Sequence, residues 1–187
     1  MSIPSLILSL EQHGRDFLIE KLYTDQTISW IREYEDFAFV KNNMRGHITG
    51  SMLITNLEKT KVLLMFHKKY QEWTQFGGHC DGETDVLAVA TREFHEESGI
   101  IQEPGIFDDI FSVQMWDVSD RTSSSGIFQP AHHHYDIIYL AAISEDTLFA
   151  RQESEVDDIR WFDIEGIEKY IGEKGMLDMI EKIKKLV

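Results

Sequence analysis

The sequence predicts an α+β fold, an α/β/α sandwich in which a mixed β-sheet lies between helices. The order of the segments supports this prediction, because strand-like segments precede one helical segment, and more strands and a last helix follow it. Residues 4–42, before the first strand, have helical patterning instead. We therefore expect an N-terminal helical extension over residues 1–43 and one sheet-containing domain over residues 44–187.

The chain is strongly acidic, which limits its partners. Its 187 residues, enough for one domain with a sizeable core, include 18 Lys and Arg and 33 Asp and Glu, so the net charge is −15. Such a surface repels phosphate backbones, and long nucleic acid is therefore not expected as a partner. A small phosphorylated ligand is compatible with this charge if a bound cation supplies local positive charge.

The N-terminus and the cysteine content indicate a compartment. The apolar run in MSIPSLILSL is too short for a membrane span and lacks the basic lead of a signal peptide. Cys80 is the only cysteine, so the chain forms no internal disulfide. Both features favour a cytoplasmic protein that does not contact a membrane.

The helical extension has apolar residues at helical spacing, among them Phe17, Leu22 and Ile28. Asp25 is expected to be the N-cap of a helix that begins with QTISWIRE. We expect this extension either to cap the domain or to supply the surface of a homodimer.

The strand predictions follow from short apolar runs that are bounded by turn residues. The first two strands, residues 47–56 and 61–67, flank a short loop and are expected to form a hairpin. A short third strand over residues 73–76 is expected to end at Gly77 and Gly78. The remaining predicted elements are a helix at 84–98 that stops at Gly99, strands at 106–118, 133–143 and 159–164, a polar loop at 120–126, and a C-terminal helix.

Three glutamates crowd one face of the helix predicted at residues 84–98. Glu93, Glu96 and Glu97 are spaced three and four positions apart, and such positions share a face. Exposed like charges at this spacing repel by about 0.2–0.5 kcal/mol per pair, and the repulsion grows when water is excluded. A divalent cation with oxygen ligands turns the repulsion into attraction, whereas a solvated acidic surface is the alternative interpretation.

Residues 78–100, GHCDGETDVLAVATREFHEESGI, resemble the Nudix box. The residues that match the box at its required spacing are Gly78, Arg92, Glu93, Phe94, Glu96, Glu97, Gly99 and Ile100. One position departs, since Thr84 stands where the family has its first glutamate and Glu83 comes one place earlier; this affects an outer contact or the loop shape. The stretch also resembles a bacterial, MutT-like Nudix subgroup with a shortened GGHCDG loop.

The resemblance implies a Nudix fold and metal-dependent hydrolysis of a pyrophosphate bond in a small nucleoside diphosphate-linked substrate, with Mg²⁺ or Mn²⁺ as cofactor. The metal ligands that it implies are Glu93, Glu96, Glu97 and the carbonyl of Gly78. It further implies that Arg92 holds the glutamates in place. The general base stays open between Glu93 and two residues of the loop before the last strand, Glu153 and Glu155, of which Glu155 is favoured.

Two histidines are candidates for substrate contact. His79 directly follows the first glycine of the box, and His134 lies at the start of the strand predicted at 133–143. His132 and His134 would point to the same side of an extended chain, which suits a metal pair, but no third ligand is evident at a suitable spacing. Cys80 is interpreted as a small loop residue, because hydrolysis on metal ions needs no cysteine nucleophile.

Two other activities of the same fold stay open. A Nudix-fold sensor binds a nucleotide such as ADP-ribose without cutting it, and the intact Arg92 and glutamate set argues against this. An isoprenoid diphosphate isomerase is the second alternative, which Cys80 keeps open. Tight nucleotide binding without turnover would indicate the sensor, and a direct isomerisation assay would identify the isomerase.

Overall fold

The structure is a computed structural model that describes residues 1–122, 126, 128–150 and 154–186, without the side chain of Asp108. The α-helices of these described residues are α1 (Ile3–Asp16), α2 (Lys21–Tyr34), α3 (Val86–Ser98) and α4 (Lys174–Lys184). The strands are β1 (Gly46–Asn56), β2 (Lys61–His67), β3 (Glu72–Thr74), β4 (Phe76–His79), β5 (Gly105–Val118), β6 (Arg121–Thr122), β7 (Phe128–Gln129), β8 (His132–Ile143) and β9 (Val156–Asp163). The mixed sheet and its helices confirm the predicted fold class.

Seven strands of the described residues form one sheet, in the order β3-β2-β1-β8-β5, with β4 paired to β1 and β9 paired to β2. Strands β1 and β2 form the predicted hairpin, with Ile54 opposite Leu63. Asn56 closes its turn, because its side-chain oxygen accepts hydrogen bonds from the backbone N–H groups of Thr60 at 2.8 Å and Lys61 at 2.9 Å. The hairpin register is therefore fixed by a side chain as well as by the strands.

The chain divides into two compact units. Unit one comprises Met1–Gly50, Gly78–Val89 and Asp109–Ile138, and unit two comprises Ser51–Gly77, Ala90–Asp108 and Tyr139–Val187. Each unit has its own fully buried side chains: Leu6, Leu10, Ile31, Phe39 and Ile48 in unit one, and Met52, Leu53, Ile54, Leu63, Phe76, Phe94 and Tyr139 in unit two. None of the helices in the described part of the chain combines the length and the apolar character that crossing a bilayer requires.

The N-terminal helices are fastened within unit one by buried polar contacts. The carboxylate of Glu20, which is 7% exposed, lies 2.7 Å from Nε2 of His13 and accepts the backbone N–H of Val113 at 2.9 Å. Nδ1 of His13 contacts the carbonyl oxygen of Ile110 at 2.9 Å. These contacts join the turn after α1 to strand β5, so the helical segment is part of the packing of unit one.

The prediction that Asp25 caps a helix is wrong. Helix α2 already begins at Lys21, because a 3₁₀ turn at Leu18–Glu20 leads directly into it. Asp25 lies one turn inside the helix, where it accepts a hydrogen bond from Nζ of Lys21 at 2.8 Å. The predicted apolar pattern is only partly used for packing, since Ile28 is buried whereas Leu22 is 65% exposed.

One strand prediction and one loop prediction are wrong in extent. Residues 73–76 are not one strand, because the chain leaves β3 after Thr74 and starts β4 at Phe76, changing its partner from β2 to β1. The predicted polar loop contains strand β6, in which Arg121 pairs with Gln129 of β7. The guanidinium of Arg121 donates to Oε1 of Gln129 at 2.9 and 2.7 Å. Residues 123–125 of this loop lie outside the described residues.

Candidate active site

Helix α3 carries the glutamates, and the local sequence fixes both of its ends. At its start, Asp85 accepts a hydrogen bond from the backbone N–H of Ala88 at 3.2 Å, which is helix capping. At its end, Gly99 has a φ of 66°, which favours glycine, and a Cβ there would collide with the carbonyl oxygen of Ala150. The helix and its glycine stop are therefore close to their predicted positions.

The apolar stripe of α3 places the glutamates at the edge of the core of unit two. Ala90 and Phe94 are fully buried. The ring of Phe94 meets the ring of Phe76 edge to face, with 5.4 Å between their centroids. Because Phe76 is the first residue of β4, this contact joins the helix to the strand that contains Gly77.

Glu97 is the most deeply buried of the three glutamates. It is 2% exposed, and its Oε2 accepts a hydrogen bond from the backbone N–H of Gly77 at 2.9 Å. The backbone of strand β4 therefore orients this carboxylate. Sequence reasoning did not identify the contact, because it joins residues on separate elements whose relative placement only the fold determines.

Arg92 bridges the other two glutamates. Its Nη1 lies 2.8 Å from Oε1 of Glu93 and 3.6 Å from Oε2 of Glu96. Glu93 is half-buried, whereas Arg92 and Glu96 are exposed. The structure thus brings Arg92, Glu93 and Glu96 together at one edge of the helix.

The glutamate cluster favours protonation or a cation. Burial raises the pKa of Glu97 to about 8; the Gly77 hydrogen bond opposes the rise, and the charges of Glu93, Glu155 and Glu96 add to it. Burial also raises the pKa of Glu93, against the nearby charge of Arg92. Carboxylate oxygens are the ligands that Mg²⁺ and Mn²⁺ prefer, so the donor set fits such an ion.

Glu155, a loop candidate for the general base, lies near the glutamates. Its charge contributes to the raised pKa of both Glu93 and Glu97. Its side chain is exposed, and its backbone carbonyl accepts a hydrogen bond from the N–H of Lys68 at 2.9 Å. The other candidate, Glu153, lies outside the described residues.

The remaining predicted site residues lie in unit one. Gly78 and His79 end strand β4, and His134 lies near the start of β8. Burial lowers the pKa of His79 to about 3 and that of His134 to about 2, so both imidazoles are neutral at pH 7. Cys80 is buried at 2% exposure, which is typical of a packed loop residue and not of an accessible nucleophile.

Thr84, where the sequence departs from the box, and its neighbour Glu83 both make hydrogen bonds before α3. The hydroxyl of Thr84 donates to the carbonyl oxygen of Met1 at 3.1 Å. The carboxylate of Glu83 accepts the backbone N–H of Asp85 at 2.9 Å. Both side chains therefore shape the loop that enters the helix.

Sequence reasoning missed one residue, His47 on β1. It is 1% exposed, and its ring centroid lies 5.2 Å from that of His132 and 4.7 Å from that of His134. No spacing signal identifies this group, because β1 and β8 are distant in the chain and become neighbours only through the order of the sheet.

Fold and site together define a class of protein, an α+β domain with a mixed sheet and a helix whose carboxylates suit a divalent cation. A comparison with protein-family models identifies the family: the NUDIX domain matches residues 47–183. The chain belongs to the Nudix family, which confirms the resemblance of residues 78–100 to the Nudix box.

Several solved structures share the fold. An Ap4A hydrolase from C. elegans, in a binary complex, is 20% identical with a TM-score of 0.57 and covers 74% of this chain and 96% of its own. A MutT protein from Methanosarcina mazei is 19% identical with a TM-score of 0.56, covering 76% and 95%. A NUDIX-family hydrolase from Clostridium perfringens is 21% identical with a TM-score of 0.54, covering 75% and 98%. A comparison with curated proteins found no match. The family match and the shared fold bear out the predicted class, a Nudix hydrolase.

Proposed function

We propose that the chain hydrolyses a pyrophosphate bond in a small nucleoside diphosphate-linked substrate, with Mg²⁺ or Mn²⁺ as cofactor. The observation that supports this best is the carboxylate of Glu97, which is 2% exposed and has a pKa of about 8 beside further carboxylates. Such a cluster destabilises a protein in the absence of a cation and stabilises it when a cation is bound. Clusters of this kind, which reduce stability until an ion binds, are typical of functional sites.

The proposed ligands of the ion are Glu93, Glu96, Glu97 and the carbonyl of Gly78. When bound, the ion neutralises charge on the pyrophosphate and makes a bound water more acidic. The protein supplies the geometry, because the Gly77 N–H orients Glu97 and the Phe94 packing holds the helix.

Arg92 is proposed as a positioning residue, since it contacts the carboxylates of both Glu93 and Glu96. The proton of the attacking water must pass to a carboxylate. Glu93 and Glu155 are the candidates among the described residues, with Glu153 as the third. We favour Glu155 over Glu153, because its charge acts on Glu93 and Glu97 and its exposed side chain is accessible to water.

His79 and His134 are proposed to contact the substrate. Both imidazoles are neutral at pH 7, and a neutral imidazole both donates and accepts hydrogen bonds. Contacts of this kind suit the phosphate oxygens or the base of a nucleotide.

Finer assignments are also part of this proposal: the bacterial subgroup with a shortened GGHCDG loop, a cytoplasmic location, and a boundary between an extension at residues 1–43 and a Nudix domain at 44–187. A homodimer is supported by apolar side chains on the N-terminal segment, since Leu18 is 74%, Ile19 83% and Leu22 65% exposed. Light scattering of the purified protein tests the dimer, and a monomeric mass would contradict it.

Substrate panels with matched variants test the hydrolysis. The purified protein is incubated with Mg²⁺ or Mn²⁺ and a panel of nucleoside diphosphate sugars, dinucleoside polyphosphates and nucleoside triphosphates. For the best substrate, we expect Glu97→Gln to lower kcat by at least about 100-fold at saturating metal. Glu165→Gln is the matched control, because its side chain is 89% exposed, and it should leave kcat unchanged.

The same assay ranks the candidate bases and separates the alternatives. Glu93→Gln and Glu155→Gln are compared at saturating metal, and the true base is the one whose loss flattens the acidic limb of the pH–rate profile. Absence of product from every substrate with either metal would contradict the proposal. Tight nucleotide binding without turnover would then indicate the sensor, and conversion of an isoprenoid diphosphate would indicate the isomerase.

A further inference from the structure

Unit one contains a cluster of histidines in which His47 and His132 have no part in the proposed hydrolysis, whereas His79 and His134 are the proposed substrate contacts. Strand alternation places His132 and His134 of β8 on one face, and His133 between them on the other. The neighbouring strand β1 brings His47 to them, and the close approach occurs at Gly46, where a Cβ would lie 2.7 Å from the carbonyl oxygen of His133.

The three rings lie close enough together for one ion to reach a nitrogen of each. One ring nitrogen of each of His47, His132 and His134 lies within 4.8 Å of those of the other two. The Nε2 atoms of His132 and His134 are 3.3 Å apart. Two imidazole ligands at about 2.0–2.1 Å from a tetrahedral zinc ion have nitrogens about 3.3–3.4 Å apart, so this pair is already at ligand spacing.

The tautomers suit metal ligands. Nδ1 of His132 faces the carbonyl oxygen of Pro130 at 2.8 Å, and Nδ1 of His47 faces that of Asn43 at 3.4 Å. A carbonyl oxygen only accepts hydrogen bonds, so Nδ1 carries the proton in both His132 and His47. Nε2 of these two residues therefore keeps its lone pair. Carbonyl oxygens that orient histidine in this way are the usual second layer of a metal site.

One of these nitrogens is otherwise unexplained. Nε2 of His47 is buried and has no hydrogen-bond partner among the described residues, although the residue is only 1% exposed. A buried polar atom without a partner destabilises the folded protein. A bound ion would satisfy it.

We propose that His47, His132 and His134 form a binding site for a transition-metal ion of the zinc type. Imidazole nitrogens suit Zn²⁺, Cu²⁺, Ni²⁺ and Fe²⁺, whereas Mg²⁺ and Ca²⁺ prefer oxygen ligands. The site is therefore chemically distinct from the carboxylates of α3. The ring of His79 lies 5.0 Å from that of His47 and 5.2 Å from that of His134, so His79 or a water is available for the fourth position.

The protonation states agree with this geometry. Burial lowers the pKa of His47 to about 4 and that of His134 to about 2, and the mutual repulsion of the histidines lowers both further. Neutral imidazoles bind metal without first losing a proton.

The sequence already pairs His132 with His134 but offers no third ligand. His47 supplies it from the adjacent strand, which raises a two-histidine pattern to the three-histidine set of open zinc sites. No α3 glutamate enters this site, so the ion is expected to bind whether or not the chain hydrolyses pyrophosphate; the site shares His134 with the substrate contacts proposed above.

Metal titration of the full chain tests the site without an activity assay. The protein is stripped with a chelator, and Co²⁺ is added as a probe whose visible absorption distinguishes tetrahedral from octahedral coordination. The experiment is done in a Glu93→Gln, Glu97→Gln background to weaken the carboxylate site. We expect about one tetrahedral Co²⁺ per chain, displaced by Zn²⁺.

Neighbouring histidines provide the matched variants. His134→Gln should weaken Co²⁺ binding by at least about 100-fold, since loss of an outer partner alone costs about 10–100-fold. His133→Gln is the control, because its side chain is 46% exposed and pairs with Asp117, and its affinity should stay within about twofold of the background.

The outcomes are decisive even if one variant is unstable. His47→Gln replaces a buried side chain, so the fold of this variant is checked by circular dichroism. If the His47→Gln protein does not fold, the result for His134→Gln decides, because His134 is only partly buried. Absence of a tetrahedral band, or equal affinity in the His134→Gln and His133→Gln proteins, would overturn the proposal. X-ray absorption of the Zn²⁺ form should show imidazole scattering, and its absence would also overturn it.

Discussion

At the scale of single residues, Glu97 is the position where stability and function oppose each other. Its carboxylate is 2% exposed, and its pKa is raised to about 8 from an ordinary 4.5. The folded, metal-free protein therefore holds the proton more tightly than the unfolded chain does. The stability that this provides is fully present below about pH 4.5 and is lost as the pH rises through about 8, by about 1.4 kcal/mol per unit.

Replacing Glu97 by Gln should stabilise the metal-free protein while it lowers kcat. The amide oxygen can still accept the Gly77 N–H, and no charge is buried. At pH 8 in chelator we expect the variant to be about 2–3 kcal/mol more stable than the wild type, with the difference shrinking towards pH 5. Urea unfolding of both proteins measures this difference. The buried histidines titrate in the same way in both proteins, so their contribution drops out of the difference.

Glu96→Gln is the control for that comparison, because the side chain is 52% exposed. Its stability should stay within about 0.5 kcal/mol of the wild type. A Glu97→Gln protein that is less stable than the wild type at pH 8 would show that the burial of this carboxylate carries no electrostatic cost.

At the scale of elements, Gly99 ends α3 directly after the glutamates. Its φ of 66° and the closeness of the Ala150 carbonyl both exclude a side chain. We expect Gly99→Ala to destabilise the protein by about 3 kcal/mol or more in thermal or urea unfolding. In this variant the energetic cost of the unfavourable φ and the cost of the steric overlap add together.

Gly82→Ala separates the two effects, because Gly82 has a φ of 94° but no heavy atom within 4 Å of an added Cβ. Its loss should be only about 1 kcal/mol, the backbone part alone. Equal losses in the two alanine variants would mean that the contact with Ala150 does not constrain the helix end.

The packing of the N-terminal helices within unit one should depend on the carboxylate of Glu20. Removing its carboxylate takes a partner from two buried groups, Nε2 of His13 and the N–H of Val113. Glu20→Ala is expected to cost about 2–4 kcal/mol in urea unfolding. Glu11→Ala breaks an exposed ion pair with Arg32 and should cost less than about 1 kcal/mol. Similar losses for both would contradict the role of Glu20 in anchoring the helices.

Elements with strong local signals were predictable from the sequence, and those decided by distant partners were not. The β1–β2 hairpin and the helix that Gly99 ends have turn or cap residues at their boundaries. Asp25 had the residue type of a cap, but the preceding 3₁₀ turn had already started the helix. The break at Gln75 reflects a change of strand partner, and no local pattern reports such a change.

The candidate site likewise has features that the local sequence predicts and features that distant partners determine. The glutamates and Arg92 are neighbours in sequence, so helical spacing alone places them together. The Gly77 contact of Glu97 and the position of His47 arise from the sheet, and one sequence without its fold contains no signal for either.

At the scale of the whole molecule, the net charge of −15 opposes the approach of an anionic substrate. Salt shortens the range of this repulsion from about 30 Å at 0.01 M to about 8 Å at 0.15 M. At saturating Mg²⁺, kcat/KM for a nucleotide substrate should therefore rise when NaCl is increased over this range. A fall in kcat/KM would contradict this expectation and indicate that a local positive field dominates the approach.

The central claim is that the α3 carboxylates bind a divalent cation together with a diphosphate, and calorimetric titration with Mg²⁺ tests it most directly. The titration is done on the chelator-stripped protein with a non-hydrolysable nucleoside diphosphate analogue present, in the wild type, Glu97→Gln and Glu165→Gln. We predict Mg²⁺ binding in the wild type and the Glu165→Gln control, weakened by at least about tenfold in Glu97→Gln. Absence of Mg²⁺ binding, or equal affinity in all three proteins, would contradict the claim.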